Sequence, residues 1–260
     1  MRSISLAKFE EGIINEDAAI AKNEVIAVSD GAGGGGVFAD SWSKYLVEHL
    51  PDKPIKNYKA FDKWIDGIWE PFYNVHEENA KSIGGMFLNK FYDEGSFATL
   101  VAVWKGGQWV IYGDSVAFCY NMKSDELLYS YICLSDFNNP PYLINCKDPL
   151  DEKGFRCGKF KITKDCVVFA ASDTLAHYIL MMYEVAHSDK YAEELQKAIN
   201  AQTKNSNFIK TAMGLKAVDF ENDVITKLFN CTNEKNFKRH IQSLKRKGLI
   251  GHDDYSLVIM

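Results

Sequence analysis

Carboxylates end the apolar runs of this chain. Val25-Ile26-Ala27-Val28-Ser29 leads into Asp30-Gly31, and Trp109-Val110-Ile111-Tyr112-Gly113 leads into Asp114-Ser115. Val167-Val168-Phe169-Ala170-Ala171-Ser172 leads into Asp173, while His252-Asp253-Asp254 precedes Tyr255-Ser256-Leu257-Val258-Ile259. Asn15-Glu16-Asp17 adds two acids ahead of the first run. An ionised carboxylate at the tip of a buried strand is costly unless something compensates it. Several of them drawn from distant segments make an all-oxygen donor set, which suits hard divalent cations. The glycines of Asp30-Gly31-Ala32-Gly33-Gly34 allow a sharp turn and offer the Gly31 carbonyl as a further oxygen ligand. The chemistry such a cluster supports is two-metal hydrolysis. Cations about 3.5–4 Å apart share a bridging water, lower its pKa and neutralise a phosphate oxygen, and hydroxide attacks phosphorus in line.

The elements that must position these residues follow from periodicity. Residues 4–29 read as two strands separated by Glu10-Glu11-Gly12. Residues 38–50 read as a helix with Trp42, Tyr45, Leu46, His49 and Leu50 on one face. Residues 58–83 repeat that pattern through Phe61, Trp64, Ile65, Ile68, Trp69, Phe72 and Val75, with Pro71 kinking or dividing the helix. Strands are expected at 97–104, 108–112, 117–121 and 127–133, with Gly106-Gly107 as a hairpin turn between the first two. Residues 135–160, with Asn138-Asn139-Pro140-Pro141 and Asp148-Pro149, read as loop and as a candidate flap or substrate loop. A strand at 166–171, a helix at 174–187, further helices to about residue 247 and a closing strand at 255–260 complete the order. This succession fits one α+β layered domain over 1–260 better than an alternating βαβ fold.

Bulk properties remove several classes. A 47% hydrophobic, 13% aromatic composition over 260 residues is enough for a substantial core. A net charge of −5 argues against a nucleic-acid partner, which calls for a basic stripe. The opening residues lack the apolar core of a signal peptide, and no run approaches the ~20 apolar residues of a membrane span. The expectation is a cytoplasmic protein with no membrane partner. Six cysteines without a CxxC pair read as reduced core thiols rather than disulfides or zinc ligands.

The ordered set Asn15-Glu16-Asp17, Asp30-Gly31-Ala32-Gly33-Gly34, Gly95-Ser96-Phe97-Ala98-Thr99, Gly113-Asp114-Ser115, Ala171-Ser172-Asp173 and Asp253-Asp254-Tyr255-Ser256-Leu257 resembles the metal-dependent protein phosphatase family (PPM, type 2C) along essentially the whole chain. The resemblance implies a four-layer α-β-β-α sandwich, two packed antiparallel sheets flanked by helices. It implies two Mn²⁺ or Mg²⁺ ions, with a third possible, and a phosphoprotein substrate hydrolysed at phosphoserine or phosphothreonine. Carried over, Asp30 bridges both metals and Gly31 gives its carbonyl. Asp173 and Asp253 hold one metal, Glu16 contacts it through water, and Asp114 holds the third, weaker ion. Asp30 and Asp173 then carry catalysis through metal-bound water. Asp17 orients the ligands, and Asp254 is a neighbour of Asp253 rather than a ligand.

This chain also departs from the family pattern. The arginine that clamps the substrate phosphate in family members would fall at Gly12, beside Ile13 and Ile14. Gly113-Asp114-Ser115-Val116 replaces Gly-Asp-Ser-Arg, Ser172-Asp173-Thr174 replaces Ser-Asp-Gly, and no threonine-aspartate-histidine segment is recognisable near Leu134-Ser135-Asp136. Arg2, Lys8 and Arg156 are the cations considered for the clamp. The departures support an alternative, a pseudophosphatase that uses the same fold to bind a partner.

Competing motifs are weaker. Gly31 to Gly36 matches GxGxxG, but Pro51-Asp52-Lys53-Pro54-Ile55-Lys56 is not the second buried strand a dinucleotide fold needs. No Gly-Lys-Ser/Thr follows the glycines as in a P-loop, and no G-x-S-x-G elbow exists. His76-Glu77-Glu78-Asn79-Ala80 lacks the second histidine of a zinc protease and reads as a helix end. His177 and His252 read as capping or surface histidines. The basic stretch from Lys235 to Lys247 reads as a solvated helix face with Phe237, Ile241 and Leu244 buried.

Overall fold

The computed structural model describes residues 1–22 and 24–260. Its strands are β1 (Arg2–Leu6), β2 (Ala18–Ala21), β3 (Val25–Ser29), β4 (Phe97–Ala98), β5 (Leu100–Trp104), β6 (Gln108–Tyr112), β7 (Val116–Asn121), β8 (Glu126–Tyr129), β9 (Ile144–Asn145), β10 (Phe155–Lys159), β11 (Cys166–Ala171) and β12 (Tyr255–Ile259). Its helices are α1 (Ala39–Glu48), α2 (Tyr58–Asp66), α3 (Trp69–Ile83), α4 (Gly85–Glu94), α5 (Asp173–Ala186), α6 (Ser188–Asn200), α7 (Lys204–Met213), α8 (Thr226–Phe229) and α9 (Glu234–Arg246). Two five-stranded antiparallel sheets occupy the centre, one in the order β1-β12-β11-β7-β8 and the other β10-β6-β5-β3-β2.

The apolar runs are continuous because each sheet is buried on both faces. Successive side chains on a strand point to opposite faces. Val25, Ala27, Leu100, Ala102 and Trp104 pack beneath α1 to α4, with Trp42, Phe61, Phe72 and Phe91. Their alternates Ile26, Val28, Val101 and Val103 meet Ala117, Val168, Ala170 and Val258 of the other sheet. Phe169, Ala171, Tyr255 and Leu257 then face the helices α5 to α9. The result is an α+β, four-layer α-β-β-α sandwich.

Several local readings are corrected. Residues 4–29 hold three strands, and the connection from β1 to β2 runs from residue 7 to residue 17. Asn23, within the second expected strand, lies outside the described residues. The break in the 58–83 helix falls at Gly67-Ile68, so Pro71 sits in the first turn of α3, where a missing N–H removes no helical bond. Helix α4 follows a Gly84 at φ 71° and was not expected from the pattern. The 135–160 segment is not all loop: β9 pairs with β4 and β10 pairs with β6. β10 escaped periodicity because it is an edge strand of half-buried and exposed residues. His177 is a core residue, edge-on to Phe137 at 5.3 Å, and its burial pushes the imidazole down to about 4.

Glu184 on α5 is fully buried and neither carboxylate oxygen has a hydrogen-bond partner. Burial, and then the nearby Glu194, push its carboxyl up to about 8. Such an acid keeps its proton in the folded chain and releases it at lower pH when unfolded. Its contribution to stability is therefore full below the ordinary carboxylate range and is lost as pH rises toward 8. Glu184→Gln removes that dependence. In urea titrations the variant is expected to gain on the parent between pH 5 and pH 8, by up to about 1.4 kcal/mol per pH unit. Equal pH slopes would contradict a buried, protonated Glu184.

Candidate functional site

The antiparallel ladders decide which residues meet. β1, β3, β6 and β11 end where β2, β5, β7 and β12 begin. Residues just outside those ends therefore share one edge of the sandwich. Lys8 follows β1, Glu16 and Asp17 precede β2, and Asp30 follows β3. Asp114 lies where the chain passes from β6 to β7, Asp173 opens α5 after β11, and Asp253 and Asp254 precede β12. A cavity of about 320 Å³ opens there, lined by Lys8, Glu16, Asp30, Gly31, Asp114, Asp173 and Asp253 with Thr99, Pro141 and Leu143.

Local bonds fix the approach of each loop. The Thr99 amide donates to the Asp30 carbonyl at 2.8 Å, the Asp30 amide donates to Thr99 Oγ1 at 3.2 Å, and Thr99 Oγ1 meets Ser115 Oγ at 2.8 Å. The Gly31 amide donates to the Glu16 carbonyl at 3.2 Å. A Cβ at position 31 would come within 2.6 Å of that carbonyl and 2.7 Å of the Ala39 carbonyl, so only glycine fits. A Cβ at Gly33 would collide with the Glu16 carboxylate. Asp173 accepts a bond from the Thr174 amide at the start of α5. Asp254 does not line the cavity. Its Oδ1 and Oδ2 each accept a backbone amide, from Lys8 and from Glu16, both at 2.7 Å, and so clasp two loops together. Asp17 also stands behind the cavity, within hydrogen-bonding reach of Ser172 and Ser256, with a buried Oδ2 that has no partner.

The electrostatics are those of crowded anions. Burial, and then Asp17, Asp173, Asp114 and Asp253, hold the Asp30 carboxyl well above its ordinary range. Burial followed by Asp253 raises Asp173 to about 6, although the hydrogen bond it accepts from the Thr174 amide opposes the rise. Burial followed by Asp173 raises Asp114 to about 8. Burial also raises Asp17, Glu16 and Asp253. Among the described residues, no three His, Cys, Asp or Glu side chains close around a single point that could hold an ion. The carboxylates instead face one another across the cavity. As a donor set they fit a hard divalent cation: every donor atom is oxygen and the groups repel one another.

The sequence-expected residues Glu16, Asp30, Gly31, Asp114, Asp173 and Asp253 thus come to one cavity, with Asp17 and Asp254 behind it. Of the three cations considered, only Lys8 lines it, with Nζ 3.8 Å from Glu16 Oε2. Arg2 bonds the Phe229 carbonyl, and Arg156 faces Tyr131, Asp136 and Cys133. Sequence reasoning missed Thr99, Ser115, Pro141 and Leu143. Thr99 lies in the Gly95–Thr99 motif, Ser115 in Gly113-Asp114-Ser115, and Pro141 and Leu143 in the 135–160 segment expected as a flap or substrate loop, but none of the four was singled out.

Two outcomes follow. Asp254→Ala leaves two loop amides without an acceptor and should cost about 1–3 kcal/mol in urea denaturation; a loss within ±0.5 kcal/mol would contradict the clasp. Asp30→Asn removes one charge from the crowd. In excess chelator and at alkaline pH, where Asp30 ionises against its neighbours, the variant is expected to melt higher than the parent, by about 2–4 °C for each kcal/mol of repulsion relieved. An unchanged or lower melting temperature would contradict mutual repulsion at Asp30.

No family model matches the chain, and no curated protein sequence matches it. Solved structures do. The serine/threonine phosphatase Stp1 from Staphylococcus aureus superposes with a TM-score of 0.52 at 13% identity, over 99% of this chain and 93% of that one. The catalytic domain of the serine/threonine phosphatase PstP, in complex with two manganese ions, gives a TM-score of 0.51 at 15% identity, over 99% and 95%. PstP/Ppp of Mycobacterium tuberculosis gives 0.50 at 14% identity, over 99% and 96%. The likeness is one of architecture: the chain has the α-β-β-α fold of the PPM-type serine/threonine phosphatases.

Proposed function

We propose that this protein is a metal-dependent phosphomonoester hydrolase acting on phosphoserine or phosphothreonine in a phosphoprotein substrate. The observation that carries the reading is the convergence of Asp30, Asp114, Asp173 and Asp253 with Glu16 on one cavity at the edge of that fold. Asp30, Asp173 and Asp253 would hold Mn²⁺ or Mg²⁺ with the Gly31 carbonyl, Glu16 would assist through water, and Asp114 would serve a weaker third ion. Cations bound there supply Lewis acidity, lowering the pKa of water and neutralising phosphate oxygens. The remaining work belongs to the chain. The Thr99–Ser115 pair fixes the Asp30 backbone. Pro141 and Leu143 add apolar surface to the lining of the cavity. Among the described residues Lys8 is the only cation lining the cavity, and it would bind a phosphate oxygen from a position pinned by Asp254. Burial is the largest single influence on its ammonium and acts to lower it, but Asp254, Glu16, Asp253 and Glu10 together outweigh it and hold the group above its usual range, so the positive charge persists through neutral pH.

A second reading, a pseudophosphatase that binds a partner, is favoured by one observation. Gly12 stands where the family clamp is expected and has open space around it. Hydrolysis of p-nitrophenyl phosphate and of a phosphothreonine peptide with Mn²⁺ separates the two. Turnover in the parent and its loss in Asp30→Asn support the enzyme, whereas metal binding without turnover on either substrate supports the binding module. Lys8→Ala is expected to raise KM for the peptide at least tenfold, with Lys8→Arg largely restoring it. An unchanged KM would remove Lys8 from the substrate site. Asp173→Asn should weaken Mn²⁺ binding several-fold with the fold intact by circular dichroism.

A further inference from the structure

A second cavity, of about 520 Å³, lies in the helical layer of α5, α8 and α9, well within the size range of small-molecule sites. Its floor is apolar: Tyr178 and Met182 of α5, with Leu244 and Leu249, are nearly or fully buried. Its rim is polar. Lys227 and Lys247 both face His240, whose buried Nε2 has no partner. Asp223 is the one acid on the rim and is taken up by Lys227 at 2.7 Å. Among the described residues Lys247 forms no ion pair. The acid lies within a π-turn at Glu221–Ile225 and Lys227 follows it, a distortion that concentrates at functional sites. The wider layer has the same sign. Residues 204–247 hold ten Lys and Arg against four Asp and Glu, in a chain whose net charge is −5.

We propose that this cavity binds a small amphipathic anion, a carboxylate on an apolar body of about two fused rings. The body rests on Tyr178, Met182, Leu244 and Leu249, and the anionic head meets Lys247 and Lys227. An uncharged ligand of the same shape would leave the Lys247 ammonium unanswered, and a free inorganic anion would leave the apolar floor exposed. The site is independent of the phosphatase reading. Its wall helix α5 nonetheless begins at Asp173, so an occupant touches the element that carries one of the carboxylates of the other cavity.

The test is calorimetric titration of the full chain in excess chelator, where the carboxylate-lined cavity repels anions. The probes are 2-naphthoate and its neutral amide. The expected result is saturable one-to-one binding of naphthoate and at least tenfold weaker binding of the amide. Lys227→Gln/Lys247→Gln should weaken naphthoate at least tenfold and leave the amide unchanged; Lys247→Gln alone should weaken naphthoate by a smaller factor. Ala217→Trp, at an exposed position on the mouth, should block both probes without altering the melting temperature. Absence of saturable naphthoate binding up to millimolar concentration, equal affinity for the two probes, or undiminished binding to Ala217→Trp would overturn the proposal.

Discussion

Like charges forced together at the edge of a sandwich are the constraint on which this structure turns. Asp17, Asp114, Asp173 and Asp253 each raise the cost of ionising Asp30, and Asp173 and Asp253 do the same to Asp114. Left to themselves, such groups move apart or take up protons. Here they can do little of the former, because the strands that end in them are buried on both faces. The surrounding bonds add to that rigidity. Thr99 and Ser115 grip the Asp30 backbone, Gly31 is packed against two carbonyls, and Asp254 ties the loops after β1 and before β2. The architecture thus holds carboxylates in a state that a divalent cation would relieve.

Much of this was legible in the chain, for a physical reason. A strand buried on both faces must be apolar at every position, so an acid marks its end without ambiguity, as at Asp30 and Asp173. The same logic failed where burial is partial. β10 at a sheet edge carries Arg156 and Lys159 among its five residues and reads as loop. His177 looked like a surface group because a single histidine in an apolar helix gives no sign of which neighbours will enclose it; Phe137 and Phe208 do so from remote segments. Lys8 could not be chosen over Arg2 or Arg156 without the β1–β12 pairing, which places Lys8 beside Asp253 and Asp254 and sends Arg2 to the far end of the strand.

The substrate side of the cavity is where the chain differs most from the family it resembles. Gly12 is exposed and unhindered, and the cation at the cavity comes from a different stretch of the same loop. A lysine is a compact point charge and lacks the planar fork with which arginine grips two phosphate oxygens at once. Under the proposed function, phosphate binding here would rest on one point charge rather than on a bidentate contact. Similar shape at 13–15% identity accords with this: the layers are set by burial, which many sequences satisfy, whereas the contacts around the cavity are set by individual side chains.

The most direct test is diffraction from crystals equilibrated with Mn²⁺, recorded at the manganese absorption edge. The account predicts at least one anomalous peak inside the cavity, within bonding distance of carboxylate oxygens of Asp30, Asp173 and Asp253. Manganese found only at exposed surface acids, with no peak among those three residues, would contradict it.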